Sequence, residues 1–239
     1  MNIASATFEC SAPNLDACPE ETLPEFAFIG RSNVGKSSLL NFLAGREGLA
    51  RVSPTPGFTK LINFFVINQR WRLVDLPGYG FAHVAHKDRT RFNRAVAGYL
   101  EARPNLACVF ALVDGSLPPQ DIDIEFLEWL VTKRLPFVIV LTKTDKLPPA
   151  QLAENQAALS ARIGDWFIEP PAMLTCSSKD GSGRWELLQI IQETINSLAP
   201  STPAEDEPSA VEETPTHPAP RGPSKPSIKK KRPDLKRPW

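Results

Sequence analysis

Gly30-Arg31-Ser32-Asn33-Val34-Gly35-Lys36-Ser37 follows the short apolar run Phe26 to Ile29 and leads into the apolar positions of a helix over 36–43. The spacing is that of a phosphate-binding loop set between a strand and a helix. Glycines let the backbone wrap a polyphosphate so that its amides and the helix N-terminus face the charge, while Lys36 reaches the β and γ phosphates and Ser37 ligates Mg²⁺. The loop specifies a nucleoside polyphosphate and leaves the base open.

Outward from this loop, short apolar runs alternate with longer amphipathic stretches between Met1 and Ala199, the pattern of βαβ units around a mostly parallel sheet. The runs predict strands at Phe26 to Ile29, Leu61 to Ile67, Trp71 to Leu76, Ala107 to Val113, Phe137 to Leu141 and Ala172 to Cys176, with Thr7 to Cys10 as a candidate edge strand. Helical periodicity covers 36–43, 89–101, 120–131, 150–163 and 185–198. Only Asn68 to Arg70 join Leu61–Ile67 to Trp71–Leu76. That is too short for a crossover, so the two pair antiparallel and one strand of the α/β sheet is inverted.

Three further signals fall at strand ends. Asp75-Leu76-Pro77-Gly78 closes one strand, where a carboxylate can hold Mg²⁺ through water and a glycine amide can touch a γ phosphate. Thr142-Lys143-Thr144-Asp145 closes another. A carboxylate there accepts from the N1 and 2-amino donors of guanine, which adenine lacks, and such a site rejects the mismatched ligand by about 10⁴ to 10⁵. The methylene stem of Lys143 can cover the base face. Cys176-Ser177-Ser178 follows the last predicted strand, where a backbone amide meets the guanine O6. Between the phosphate loop and Asp75, the Pro- and Gly-rich segment Arg51 to Lys60 offers Thr55 and Thr59 as Mg²⁺ and γ-phosphate ligands. Thr59 is preferred because it directly precedes a strand.

The chain has 239 residues, 42% apolar and 23% charged, enough for one sizeable core plus extra segments. Twenty-seven bases balance 27 acids, which excludes a whole-protein field drawing nucleic acid or membrane. The apolar run Ala107 to Val113, like every other in the chain, falls far short of the roughly 20 residues of a membrane span. Glu9, Asp16, Glu20 and Glu21 near the start are unlike a secretory signal, so the expected location is the cytoplasm. Cys10, Cys18, Cys108 and Cys176 lack metal or disulfide spacing and are expected reduced and mostly buried. His83 and His86 have no third ligand nearby and read as a polar loop. The division expected is an N-terminal segment 1–22, a domain 23–199 and a disordered tail 200–239. That tail holds ten of the 24 prolines, and its last 19 residues carry eight bases against one acid after an acidic spacer.

Phe28 to Asn41, Thr55-Pro56-Gly57-Phe58-Thr59, Leu61 to Phe65, Asp75 to Ala82 and Thr142 to Asp145 together resemble the EngB (YihA/YsxC) family, TRAFAC-class GTPases with a Ras-like fold. The resemblance covers roughly 8–198, and its specific part is Tyr79-Gly80-Phe81-Ala82 after the Asp-x-x-Gly motif, with Thr in place of Asn at 142. It implies GTP-dependent assembly of the large ribosomal subunit, a role in cell division, GTP and GDP as ligands, a subunit precursor and its rRNA as partners, no membrane partner, and a monomer. Carried over by position, Gly30 to Ser37 hold phosphates, and Ser37 and Thr59 hold Mg²⁺. Gly57, Phe58, Thr59, Lys60 and Leu61 form switch I, Asp75 to Gly78 open switch II, and Thr142 to Asp145 with Cys176 to Ser178 hold guanine. Lys36, Thr59 and Gly78 are the expected catalytic set. Phe58 and Lys60 depart from the family, which usually has Arg or Lys before the Thr and Gln after it.

Tyr79 stands where Ras-like enzymes carry the glutamine that orients water, so slow intrinsic hydrolysis completed by a partner is expected. Asn33 could help hold K⁺ between the α and γ phosphates. A guanine-nucleotide switch with negligible turnover is the non-enzyme alternative. An ATP-driven motor would need a second acid after Asp75, where Leu76 and Pro77 stand. Lys87, Arg89, Arg91 and Arg94 on the next predicted helix are candidate RNA-phosphate contacts.

Overall fold

A computed structural model describes residues 1–50, 61–79, 86–168, 171 and 173–198, for 86–93 the backbone only. Seven strands form one sheet: β1 (Ala6–Ala12), β2 (Glu25–Gly30), β3 (Ile62–Ile67), β4 (Trp71–Asp75), β5 (Leu106–Asp114), β6 (Phe137–Thr142) and β7 (Met173–Thr175). Their order is β1-β3-β4-β2-β5-β6-β7. β3 is antiparallel to both β1 and β4, and the remaining neighbours are parallel, so β3 alone is inverted among the described strands. The inversion is made by a tight turn in which Asn68 and Gln69 take φ of 50° and 55°, while Arg70 N donates to Ile67 O at 3.0 Å. Two successive left-handed residues match the twist of a two-residue hairpin.

The helices are α1 (Lys36–Ala44), α2 (His86–Ala102), α3 (Asp121–Thr132), α4 (Pro149–Ile163) and α5 (Arg184–Leu198). Side chains alternate across the sheet, so Ala27 and Ile29 of β2 join α2, α3 and α4 in one apolar cluster, whereas Phe26 and Phe28 join α1 and α5 in the other. With both faces covered, β2 is buried along its whole length, which explains its unbroken apolar reading. Phe28 and Phe110 stack with ring centroids 4.7 Å apart, fixing β2 against β5 on the α1 side.

Helix and strand limits fall close to the expected ones. β1 is longer than the expected edge strand and bulges between Phe8 and Cys10. β7 is shorter than expected, and Ala172 lies outside the described residues. α2 starts at His86, ahead of the expected Arg89. The thiols are free, but only Cys108 and Cys176 are buried; Cys10 and Cys18 are half-buried, because β1 and the turn after it lie at the sheet edge. Among the described residues no helix is long and apolar enough to cross a membrane. Gly57 to Lys60, Thr55, His83 and the tail 200–239 lie outside the described residues.

At the amino ends of β2 and β4 sits a buried ionic cluster that the sequence reading missed. The fully buried Glu25 carboxylate accepts from Tyr99 Oη at 2.8 Å and from Arg103 Nε and Nη2 at 2.9 and 2.7 Å. Arg72 lies 3.5 Å from Glu25 and grips Glu9 with two bonds of 2.7 and 2.9 Å. Arg103 Nη2 also reaches Pro19 O at 2.6 Å, which ties the segment before β2 to the sheet. Removing one partner of such a cluster strands the others' charge in a low-dielectric interior, at a cost of about 3–5 kcal/mol. Glu25→Ala should therefore lower stability by about that amount in urea unfolding, and a loss under about 1 kcal/mol would show that the cluster does not hold the edge in place.

Candidate functional site

The described loops 30–37, 75–78, 142–145 and 176–178 lie at the carboxyl ends of the parallel strands, opposite the Glu25 cluster. At the end of β2 the chain turns sharply. A Cβ on Gly30 would stand 2.6 Å from Leu112 O, Asn33 takes φ of 64°, and Gly35 takes φ of 102° as the residue before α1. The first turn of α1 has neither a side-chain cap nor an acidic residue, so its amides are left to an external anion. Lys36 is buried, and its Nζ donates to Asp75 Oδ1 at the end of β4. Ser37 is half-buried beside it.

The loop after β4 runs alongside the phosphate loop. Leu76 N donates to Phe28 O at 3.1 Å and Tyr79 N to Gly30 O at 3.2 Å, while Ser32 N donates back to Tyr79 O at 3.2 Å. A Cβ on Gly78 would come within 2.8 Å of Gly30 O, so only glycine fits there. Leu76 and Pro77 are buried, and Leu61 is exposed just before β3. Tyr79 is buried too, with its hydroxyl on Asp123 of α3 at 3.0 Å. Its side chain faces the core rather than the nucleotide side. Arg31, expected at the phosphates, instead places Nε 3.1 and 3.0 Å from the two Asp123 oxygens; any phosphate contact here belongs to its backbone.

The base motif grips the phosphate loop from the other side. Thr142 Oγ1 donates to Val34 O at 2.6 Å, with Val113 O at 3.3 Å. Its one proton is engaged there, so Thr142 ties the phosphate loop to the ends of β5 and β6. Lys143, at φ of 58°, lays its stem over Gly35 and sends Nζ to Asn33 O and Asp114 Oδ2, both at 2.6 Å. Burial works to raise the Asp114 carboxyl, but hydrogen bonds from Lys143 and Ser116 outweigh it and hold the group below its ordinary value. Asp114 was not singled out in the sequence, although an acid closing the strand beside Thr142 was a usable signal.

Asp145 accepts from Ser177 Oγ at 2.7 Å. That hydroxyl in turn accepts from the amides of Lys179 and Asp180 at 3.1 and 3.3 Å. Cys176 N and Ser177 N are spent on Leu141 O and Ser182 O, which leaves Ser178 as the exposed residue of the three. Thr144 is half-buried in the same turn. The structure thus gathers Gly30 to Ser37, Asp75 to Gly78, Thr142 to Asp145 and Cys176 to Ser178 around one rim. Thr59 and the other switch I residues before Leu61 fall outside the described residues, as do the side chains of Lys87, Arg89 and Arg91; Arg94 is exposed.

Among the described residues no three His, Cys, Asp or Glu side chains gather. A hydroxyl and a carboxylate, Ser37 and Asp75, are the sparse oxygen set that Mg²⁺ takes when substrate phosphates supply the rest.

The chain is 43% identical over 198 residues to the probable GTP-binding protein EngB of Christiangramia forsetii, an alignment covering 83% of this chain and 100% of that protein. It is 46% identical over 196 residues to the counterpart in Bacteroides fragilis, covering 82% and 97%. It belongs to the EngB family of GTP-binding proteins. Residues 25–143 match the family described as 50S ribosome-binding GTPase. A crystal structure of a probable GTP-binding protein EngB shares the fold, with a TM-score of 0.58 at 24% identity over 72% of this chain and 99% of that one. So does S. thermophilus NFeoB bound to GDP·AlF4⁻, at 0.52 and 19% over 73% and 64%. As an EngB member the protein is a GTPase with a Ras-like α/β fold, and the rim lies at the carboxyl ends of its parallel strands, the side on which open α/β sheets bind ligands as a rule.

Asp145→Asn should move nucleotide preference from guanine toward xanthine, whose C2 oxygen needs a donor where guanine needs an acceptor. Competition binding with GDP, XDP and ADP checks this, and an unchanged preference would remove Asp145 from the base site. Ser177→Ala deletes a hydrogen bond to a charged group, so GDP affinity should fall about tenfold or more.

Proposed function

We propose that the protein is a slow GTP-hydrolysing switch in assembly of the large ribosomal subunit, acting as a cytoplasmic monomer and needed for normal cell division. The observation that carries the slow turnover is Tyr79, whose side chain is buried against Asp123 and Phe126 in the place of a water-orienting glutamine. The large-subunit assignment is supported by the family description matched over 25–143.

Under this reading the first-turn amides of α1 and Lys36 bind the β and γ phosphates, and the Gly78 amide meets the γ phosphate. Ser37, with Thr59 from switch I and Asp75 through water, would hold Mg²⁺. When bound, that ion neutralises phosphate charge. Lys36 has to exchange its bond to Asp75 for the phosphates, which frees the carboxylate for the metal's hydration shell. Lys143 walls the base with its stem while its ammonium stays on Asn33 O and Asp114, and Asp145 reads the base edge. Since Tyr79 offers water no side-chain partner, a ribosomal partner or a cation completes the site. The exposed side chain of Asn33 is a candidate oxygen ligand for K⁺.

Single-turnover hydrolysis should be slow alone, faster with large-subunit particles, and faster in KCl than in NaCl at matched ionic strength. Asn33→Ala should erase the difference between the salts. Hydrolysis too slow to register with or without particles would favour a switch with negligible turnover, and equal rates in the two salts would remove the cation.

The basic end of the tail, Arg221 to Trp239, carries eight bases and one acid and is proposed to add sequence-independent rRNA affinity. Each neutralised phosphate steepens the slope of log affinity against log salt by about 0.7 to 0.9. Truncation after Pro220 should leave GTP binding unchanged and flatten the salt slope of ribosomal-particle binding by at least about two units. An unchanged slope would mean that the arm only solubilises the chain.

A further inference from the structure

The residue after Gly78 is held more firmly than a switch residue needs to be. Tyr79 forms an isolated parallel bridge with Arg31, its amide donates to Gly30 O at 3.2 Å, and its carbonyl accepts from Ser32 N at 3.2 Å. The β2–β4 pairing therefore continues beyond Asp75, with Gly78 between the bonded Leu76 and Tyr79 and so near Gly30 O that a Cβ would stand 2.8 Å from it. The side chain adds a second attachment. Tyr79 Oη donates to Asp123 Oδ1 at 3.0 Å, its ring lies 4.6 Å from that of Phe126, and the same Asp123 carboxylate takes Arg31 Nε at 3.0 and 3.1 Å. The Asp123 side chain is 1% exposed, so an acid on the buried face of α3 is spent on joining the phosphate loop to the residue after Gly78.

We propose that Asp123 is a positioning residue for the third phosphate: through Tyr79 and Arg31 it ties the Gly78 amide to the phosphate loop, so that the amide is set in place before a third phosphate arrives. This rests on the reading of the rim as a GTP site. In that arrangement the amide that recognises the γ phosphate is prearranged, and no ordering entropy is spent on it when GTP replaces GDP. Loss of the lock leaves GDP contacts intact, because GDP does not reach Gly78. It weakens only the ligand with a third phosphate.

The test compares GDP with a non-hydrolysable GTP analogue on the full-length protein by calorimetry, for wild type, Tyr79→Phe, Asp123→Ala and Asp123→Asn. Tyr79→Phe keeps the ring in the core and removes only the hydroxyl. It should leave GDP affinity within about twofold and lower analogue affinity at least about tenfold, the lower end expected for a hydrogen bond to a charged group. Asp123→Ala should lower the analogue-to-GDP affinity ratio further. Asp123→Asn, which retains an acceptor for Tyr79, should restore most of the ratio, and a merely structural role would not produce that rescue. Amide hydrogen exchange at Tyr79 should quicken in the first two variants. If Tyr79→Phe weakens GDP and the analogue equally, or neither, the lock does not exist, and this holds even where Asp123→Ala fails to fold. If wild type binds neither ligand, the nucleotide reading itself is wrong, a result distinct from failure of the lock.

Discussion

A loop that turns its amides toward an anion must turn its carbonyls back into the protein, and buried carbonyls need donors. This constraint organises the rim around Gly30 to Ser37. Val34 O takes the hydroxyl of Thr142, Asn33 O takes the ammonium of Lys143, and Gly30 O takes the amide of Tyr79. Two of these donors come from the end of β6 and the residue just after it, and the third from the loop after β4, so the loop holds its shape only if β4 and β6 end level with β2. The sheet register meets that demand: Phe28 pairs with Asp75, Gly30 with Leu112, and Asp114 with Thr142. Residues of the base motif and of the loop after β4 are thus also the residues that shape the phosphate loop.

Thr142 shows how the two duties separate. An asparagine amide has two protons and can serve a loop carbonyl and a ligand together, whereas a threonine hydroxyl has one. Here that proton is committed to the carbonyls of Val34 and Val113. In the proposed GTP site, base reading falls to Asp145, which accepts from Ser177. The carboxylate proposed to recognise guanine is thus held by a hydroxyl from the loop after β7, a more distributed arrangement than four consecutive motif residues suggest.

The parallel strands, the inverted β3 and the placement of all described motifs on one rim were legible in the chain because they depend on local signals: apolar runs, a three-residue connection, glycines at fixed spacing. What escaped depends on pairs distant in sequence. Arg31 and Asp123 are 92 positions apart, Thr142 and Val34 108, and Arg103 and Glu25 78. No periodicity marks such pairs. Asp123, between Ile122 and Ile124, reads as an ordinary acid in a helix's first turn, and nothing local says that it faces inward. Glu25 likewise looks like a polar strand start, yet it is buried completely. Buried ionic groups are chosen by the charges that meet them in the fold, so they become visible only once the sheet order is known.

The two rims of the sheet have a bearing on how the chain behaves at high concentration. A long, flat outer strand offers a row of unpaired amides to another copy. β1 breaks that row with its bulge at Glu9, and the carboxylate is drawn back onto Arg72. At the opposite rim β7 is only three residues long. Among the described residues neither side offers a second molecule a long regular ladder, a geometry that disfavours edge-to-edge extension of the sheet.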